Sequence, residues 1–147
     1  MNKMDFKIEK SSSDDVNEII NLYSKYRKNW KPSWSLKERL DEYPALKVVQ
    51  NEKMIGFAYC FKFAPDIMEL SQIYIDQNFR SQNIGATLIC KLEKEVSIEG
   101  YVGMIAVNSD AYEGKIDPKK PTNFYLNNGY ALVAQTDKTT VFFKNLK

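Results

Sequence analysis

Hydrophobic side chains recur along this chain with two periods, and each period predicts a different kind of element. Residues 68–75 alternate between apolar and polar side chains, which is typical of a strand in a sheet. Residues 84–96 carry apolar side chains every three or four positions, which predicts an amphipathic helix that ends near Gly100. The same two periods predict strands at 5–9, 46–50, 54–63, 102–107, 130–134 and 139–145, and helices at 16–28, 36–40 and 121–126.

Turn residues separate these elements. Residues 51–53 are a plausible hairpin turn, and Gly56 inside the following strand predicts a bulge or a close backbone approach. Pro121 suits a first helical position, and Gly129 suits the left-handed residue after a helix. The polar connection at residues 108–120 is long enough to be a solvated loop, a lid or a contact in a homodimer.

Length and composition favour a single domain over residues 1–147, because 44% of the residues are hydrophobic and nothing resembles a linker. Cys60 and Cys90 are not in a Cys-x-x-Cys spacing, so we expect two buried free thiols. The N-terminus lacks the apolar core of a signal peptide and no apolar run spans a bilayer, so we expect a cytoplasmic protein without a membrane partner. The net charge of +2 is too small to imply nucleic acid.

The chain contains no histidine, and this narrows the chemistry. Ser/His/Asp and Cys/His nucleophile systems and histidine-based zinc sites are excluded. If the protein is an enzyme, carboxylates, tyrosines, lysines or water must move its protons.

The segment at residues 79–89 joins the predicted strand 68–75 to the helix that follows it. Backbone N–H groups at a helix start lack intrahelical acceptors, and the helix dipole favours an anion there. Arg80 adds a positive charge, and Gly85 allows a ligand to approach the backbone closely. These features indicate an anion site, although an ordinary helix start would have the same pattern.

Two motifs resemble the GNAT (Gcn5-related) N-acetyltransferases. The acyl-CoA motif of that family, Arg/Gln-x-x-Gly-x-Gly/Ala, is similar to residues 80–85, with Asn83 in place of the middle glycine. Asn tolerates a left-handed backbone better than other non-glycine residues, so the turn can form. Residues 123–130 resemble the C-terminal Phe-Tyr-x-x-x-Gly-Phe/Tyr signature. The resemblance covers nearly the whole chain and implies an α/β (α+β) fold, with a mixed, mainly antiparallel sheet and helices on both faces.

The resemblance also implies acetyl-CoA as co-substrate, without a metal. The pyrophosphate would lie over the turn, and the pantetheine arm would pair with the backbone of the preceding strand, where neighbouring strands splay. The implied contacts with the cofactor come from Ile73, Tyr74, Ile75, Arg80, Ser81, Gln82, Asn83, Ile84, Gly85, Ala86 and Asn108. Asn108 is equally well explained as a turn-forming residue.

Two residues are candidates for the proton transfers of such an enzyme. The resemblance implies that Tyr125 protonates the departing thiolate, and a phenol with a pKa of about 10 can do so. The alternative is a packed aromatic residue. Glu69 corresponds to a general base in several family members, and burial would raise its pKa. A one-residue change in strand register would instead turn Glu69 to the other face.

The acceptor is encoded less clearly. Residues 26–34 interleave basic and aromatic side chains, which would suit single-stranded nucleic acid or simply complement a helix C-terminus. In the family the first two helices border the acceptor cleft, so Trp30 and Trp34 are candidate acceptor contacts. The resemblance implies transfer of an acetyl group to a primary amine of a small molecule or peptide. A non-catalytic acyl-CoA-binding module is the alternative.

Overall fold

The structure is a computed structural model that describes residues 5–26, 35–109 and 119–147. Its centre is a seven-stranded sheet in the order β1-β2-β3-β4-β5-β7-β6. The strands are β1 (Lys7–Lys10), β2 (Ala45–Gln50), β3 (Lys53–Ala64), β4 (Ile67–Ile75), β5 (Gly103–Ser109), β6 (Ala131–Gln135) and β7 (Thr139–Asn145). The helices are α1 (Val16–Ser24), α2 (Leu36–Glu42), α3 (Ile84–Ile98) and α4 (Lys119–Asn127), with 3-10 turns at Ser13–Asp15 and Gln77–Gln82.

The sheet is mixed and mainly antiparallel, as predicted. β4 and β5 are its parallel neighbours, and every other neighbouring pair is antiparallel. The crossover between the parallel strands contains α3, as such a connection requires. This crossover places the start of α3 next to the end of β4, which is where the anion site was predicted.

Helices cover both faces of the sheet, which also confirms the prediction. The apolar stripe of α3 packs into a core on one face, with members that include Ile84, Leu88, Leu92, Met68, Leu70, Met104 and Phe142. Helices α1 and α2 cover the other face, where the core contains Ile19, Leu22, Tyr23, Leu36, Leu40, Phe57, Tyr59 and Tyr74. No helix in the described ranges has the length and apolar character needed to cross a membrane.

The predicted hairpin between β2 and β3 is present. Asn51 and Glu52 have φ angles of 51° and 64°, and two left-handed residues match the twist of the flanking strands. Gly56 follows on β3, where an added Cβ would lie 2.6 Å from Cδ1 of Ile75. The predicted close approach is therefore confirmed, and it joins β3 to the end of β4.

Several sequence-based boundaries and one burial prediction were wrong in part. Helix α1 ends at Ser24 rather than near residue 28, because the chain tightens where the N–H of Tyr26 bonds to the carbonyl of Tyr23 at 3.0 Å. Helix α4 begins two residues before Pro121. Strand β5 continues through Asn108, which pairs with Thr140, so the connection begins later than predicted. Cys60 is buried but Cys90 is exposed, because Cys90 lies off the apolar stripe of α3.

Candidate active site in an opening of the sheet

Strands β4 and β5 separate part of the way along their length. Their parallel pairing runs from Ile67 opposite Gly103 to Leu70 opposite Ala106. Beyond Leu70, residues 72–75 pair with β3 alone, and β5 continues along β7. Alternate backbone groups of a strand point to each side. The unpaired edge of β4 therefore offers N–H and C=O groups to a ligand lying in the opening.

The opening begins at a bulge in β4. Leu70 is opposite Cys60 and Gln72 is opposite Tyr59, so Ser71 is an extra residue in β4. An extra residue breaks the regular alternation of side chains between the two faces. Met68 and Leu70 pack in the α3 core before the bulge, and after it Ile73 and Ile75 do so.

The predicted cofactor contacts on β4 lie beyond this bulge. Ile73, Tyr74 and Ile75 all belong to the stretch that has no partner in β5. Asn108 lies across the opening, on the part of β5 beyond Ala106. The structure thus places these four residues along the two sides of the opening, and their contact with a cofactor stays a prediction.

Glu69 lies on the face of the sheet that α1 and α2 cover. Its neighbours in sequence, Met68 and Leu70, point into the α3 core, and its cross-strand partner is Phe61. The side chain is half-buried, and burial raises the pKa of its carboxyl group, while Arg39 opposes that shift. A carboxylate with a raised pKa is a stronger base, which is the property that general-base chemistry needs.

Arg39 of α2 is a neighbour that sequence analysis missed. Its Nε donates to Oγ of Ser35 at 3.0 Å, and its Nη1 donates to Oγ of Ser71 at 2.9 Å. The guanidinium also lies 4.1 Å from the centroid of the Phe61 ring. The available sequence signal was its place between Leu36 and Leu40, at the border of the buried face of α2.

The predicted turn consists of a 3-10 segment followed by one left-handed residue. The segment contains Arg80, Ser81 and Gln82, and Asn83 then has a φ of 63°. The Asn at this position therefore adopts the backbone conformation expected for the glycine of the motif.

The N-terminus of α3 is open to an anion. The first intrahelical bond runs from the N–H of Thr87 to the carbonyl of Asn83, at 3.2 Å. Residues 84–86 precede it and thus have no intrahelical acceptor for their N–H groups, and the Asn83 side chain does not cap them. Three N–H groups at the positive end of a 15-residue helix suit a phosphate.

Gly85 and Phe124 connect α3 to α4. A Cβ added to Gly85 would lie 3.1 Å from the Phe124 ring, so the ring packs directly over the backbone of α3. The Phe124 and Tyr125 rings are 5.4 Å apart. The glycine of the first motif is therefore in contact with Phe124, the first aromatic residue of the second motif.

Arg80 connects the turn to the end of β4. Its Nε donates to the carbonyl oxygen of Ile75 at 2.8 Å. Its guanidinium lies 5.1 Å from the ring centroid of Tyr74 and 5.7 Å from that of Tyr26. These contacts fix the turn relative to the opening, and a direct contact between Arg80 and a pyrophosphate stays a prediction.

Tyr125 lies on α4 among aromatic rings of the last strands. Its ring is 4.9 Å from Phe142 and 5.5 Å from Tyr130. Burial raises the pKa of its phenol, so the group remains protonated at neutral pH. The predicted end of α4 is present, since Gly129 has a φ of 91° and the N–H of Tyr130 bonds to the carbonyl of Tyr125 at 3.0 Å.

Trp30 and Trp34 lie outside the described residues, so their predicted contact with an acceptor stays a prediction.

Comparison with known proteins decides the family. The model of the acetyltransferase (GNAT) family matches residues 13–115. The chain belongs to the GNAT acetyltransferase family. No curated protein matches the sequence.

Solved structures agree with this family at the level of the fold. A ribosomal-protein-S18-alanine N-acetyltransferase from Escherichia coli is 16% identical, with a TM-score of 0.80 over 97% of this chain and 95% of the other. An aminoglycoside 6'-N-acetyltransferase in complex with coenzyme A is 18% identical, with a TM-score of 0.79 over 96% and 97%. The PaiA N-acetyltransferase from Thermoplasma acidophilum, also with coenzyme A, is 17% identical, with a TM-score of 0.74 over 97% and 99%.

Proposed function

We propose that this GNAT protein is an N-acetyltransferase that transfers the acetyl group of acetyl-CoA to a primary amine. The observation that carries the proposal is the arrangement of the opening between β4 and β5. One end of the opening meets the uncapped N-terminus of α3, and its unpaired edge is the backbone of residues 71–75. An extended amide chain with a pyrophosphate at one end is complementary to both features.

In this proposal each part of acetyl-CoA meets a different group. The N–H groups of residues 84–86 bind the pyrophosphate, with Ser81, Gln82, Asn83 and Arg80 at the rim. The backbone of residues 73–75 pairs with the pantetheine amides, and Asn108 faces the arm from β5. The fit is supported by the left-handed Asn83, which leaves the N-terminus of α3 open. It is also supported by fold neighbours whose structures contain coenzyme A, among them the two described above.

The proposed reaction is a direct attack of the amine on the thioester carbonyl. The C–N bond forms, and an N–H group on the edge of β4 stabilises the negative charge on the carbonyl oxygen. Glu69, or a water molecule next to it, takes the proton that the amine loses. The C–S bond then breaks, and Tyr125 protonates the thiolate. The raised pKa of the Glu69 carboxyl group and the protonated state of Tyr125 suit these two roles.

Release of thiol from acetyl-CoA across a panel of primary amines tests this function. We expect turnover with at least one amine, and a kcat lower by about 10²-fold or more in Tyr125→Phe, which keeps the ring but removes the proton. Tyr101→Phe is the matched control, since Tyr101 packs on the same core at the closed end of β5. Binding of CoA without turnover of any amine would instead identify a non-catalytic acyl-CoA-binding module.

A further inference from the structure

The guanidinium of Arg39 is fixed beside the point where β4 and β5 separate. Ser35 at the start of α2 and Ser71 at the bulge of β4 each accept one of its N–H bonds. The aromatic face of Phe61 lies against the guanidinium plane at 4.1 Å. Three elements thus hold this cation on the same face of the sheet as Glu69.

This cation has unused donor capacity. A guanidinium has five N–H bonds, and two of those of Arg39 have acceptors among the described residues. Among the described residues, Arg39 forms no ion pair, since the pairs present are Lys47 with Asp15 and Lys144 with Glu93. The charge of Arg39 opposes the upward shift in the pKa of the Glu69 carboxyl group. A positive charge therefore stands close to the proposed base, and no carboxylate in the described parts of the chain forms an ion pair with it.

The contacts point to the chemistry of the acceptor, and this inference rests on the proposed function. We propose that Arg39 binds a carboxylate of the acceptor, so that the substrate is an amino acid or another small amine that carries a carboxylate. The remaining N–H groups of a fixed guanidinium can bind a carboxylate with charge-assisted hydrogen bonds. The amine of the same molecule then lies toward Glu69, two positions from the Ser71 that orients Arg39.

The same charge disfavours other acceptor classes. A polyamine or an aminoglycoside would bring a second cation into the region that Arg39 occupies, and like charges at short range are repulsive. A decarboxylated amine would leave the guanidinium without its partner. The acceptor class therefore follows from one residue, Arg39.

Matched acceptor pairs test this inference. Thiol release from acetyl-CoA is measured with amino acids, with the amines formed by their decarboxylation, and with spermidine. For the amino acid that is acetylated most efficiently, we expect kcat/KM to be about 10- to 100-fold higher than for the amine formed by its decarboxylation. One or two charge-assisted hydrogen bonds to the carboxylate account for a difference of this size. Arg39→Met should remove this preference mainly by raising KM for the amino acid, so that the two members of a pair have kcat/KM values within about twofold of each other.

Two further variants separate binding from folding. Lys37→Met removes an exposed cation from the same helix and should keep the preference. Arg39→Lys keeps the charge and the aliphatic stem but loses the planar fork, so the preference should be reduced but still present. If Arg39→Met does not fold, Arg39→Lys is the variant that tests the assignment. A purely structural Arg39 would lower activity toward both members of a pair equally.

Different results would overturn the two proposals. Equal or better turnover of the decarboxylated amine or of spermidine by the unmodified protein would overturn the carboxylate assignment and leave the acetyltransferase intact. If Arg39→Met keeps the preference for the amino acid, the carboxylate assignment is likewise overturned and the acetyltransferase activity is not. No thiol release with any acceptor would overturn the proposed function, and the acceptor assignment with it.

Discussion

Glu69 and Tyr74 point to the same face of β4, although an odd number of positions separates them. In a regular strand, residues five positions apart point to opposite faces. The extra residue Ser71 puts the two side chains on the same face, because it shifts the alternation of side chains by one position. The bulge therefore puts the proposed base and the Tyr74 ring together under α1 and α2, and it also begins the opening for the cofactor.

Glu69 should control the acidic limb of the pH profile. Burial raises the pKa of this carboxyl group above its ordinary value, and only the ionised form can accept a proton. Activity should therefore fall as the pH drops through that raised pKa. Glu69→Gln should lower kcat by about 10²-fold or more and remove this limb. Glu42→Gln, at the exposed end of α2, is the control. A profile that Glu69→Gln leaves unchanged would exclude Glu69 as the base.

Asn83 should tolerate glycine better than alanine. Its φ of 63° costs an ordinary L-residue about 1–2 kcal/mol, whereas Gly adopts it freely. Asn83→Gly should bind CoA at least as well as the unmodified protein. Asn83→Ala should lose about 1 kcal/mol of unfolding free energy and bind CoA more weakly. Urea denaturation and CoA titration measure both quantities, and clearly weaker binding by Asn83→Gly would contradict this account of the turn.

Gly85 and Phe124 should be energetically coupled. An added methyl group at Gly85 would meet the Phe124 ring at 3.1 Å, so the ring and α4 must move slightly. Gly85→Ala should therefore lower the free energy of unfolding by about 1 kcal/mol. Phe124→Leu should lower the free energy of unfolding less in the Gly85→Ala background than in the unmodified protein. Additive effects in this double-mutant cycle would refute the contact.

Lys144 should be more important for stability than its place on the last strand suggests. Its Nζ lies 2.8 Å from Oε1 of Glu93 and 2.9 Å from the carbonyl oxygen of Asn128, at the end of α4. The Glu93 side chain is only 8% exposed, and its Oε2 already has no hydrogen-bond partner among the described residues. Lys144→Met should cost about 3 kcal/mol of unfolding free energy, because a mostly buried carboxylate loses its cation.

A double mutant tests the explanation for Lys144. Glu93→Gln combined with Lys144→Met should cost less than the sum of the single changes, because no charge is left unpaired. Lys94→Met, an exposed lysine beside Glu93 on α3, should change stability by less than about 0.5 kcal/mol. A loss below 1 kcal/mol for Lys144→Met would mean that the pair is effectively solvated.

Many helices, strands and turns could be predicted from the sequence, because they depend on interactions between residues that are close together in the chain. The apolar stripe of α3 and the alternation in β4 follow from residues within the element itself. The left-handed backbone at Asn83 and Gly129 follows from the residue type. The exposed position of Cys90 was also predictable, because it lies one residue past Ile89 and therefore outside the stripe.

The features that sequence analysis missed depend on contacts between distant segments. The bulge at Ser71 is defined by its pairing with β3, opposite the step from Tyr59 to Cys60. Arg39 meets Ser71 across 32 positions of sequence. The sequence did not decide which face of the sheet Glu69 lies on, because a one-residue change in register reverses the face. The pairing of β4 with its partner strand fixes the register and therefore the face.

Amide hydrogen exchange in the presence of acetyl-CoA tests whether the open edge of β4 and the start of α3 bind the cofactor. A saturating amount of acetyl-CoA should slow exchange by about tenfold or more at residues 71–75 on the open edge of β4 and at residues 84–86 at the start of α3. Amides of β1, at the far edge of the sheet, should exchange as before. Binding of acetyl-CoA that protects other segments but leaves these two unchanged would contradict the claim that the bulge and the start of α3 form the cofactor site.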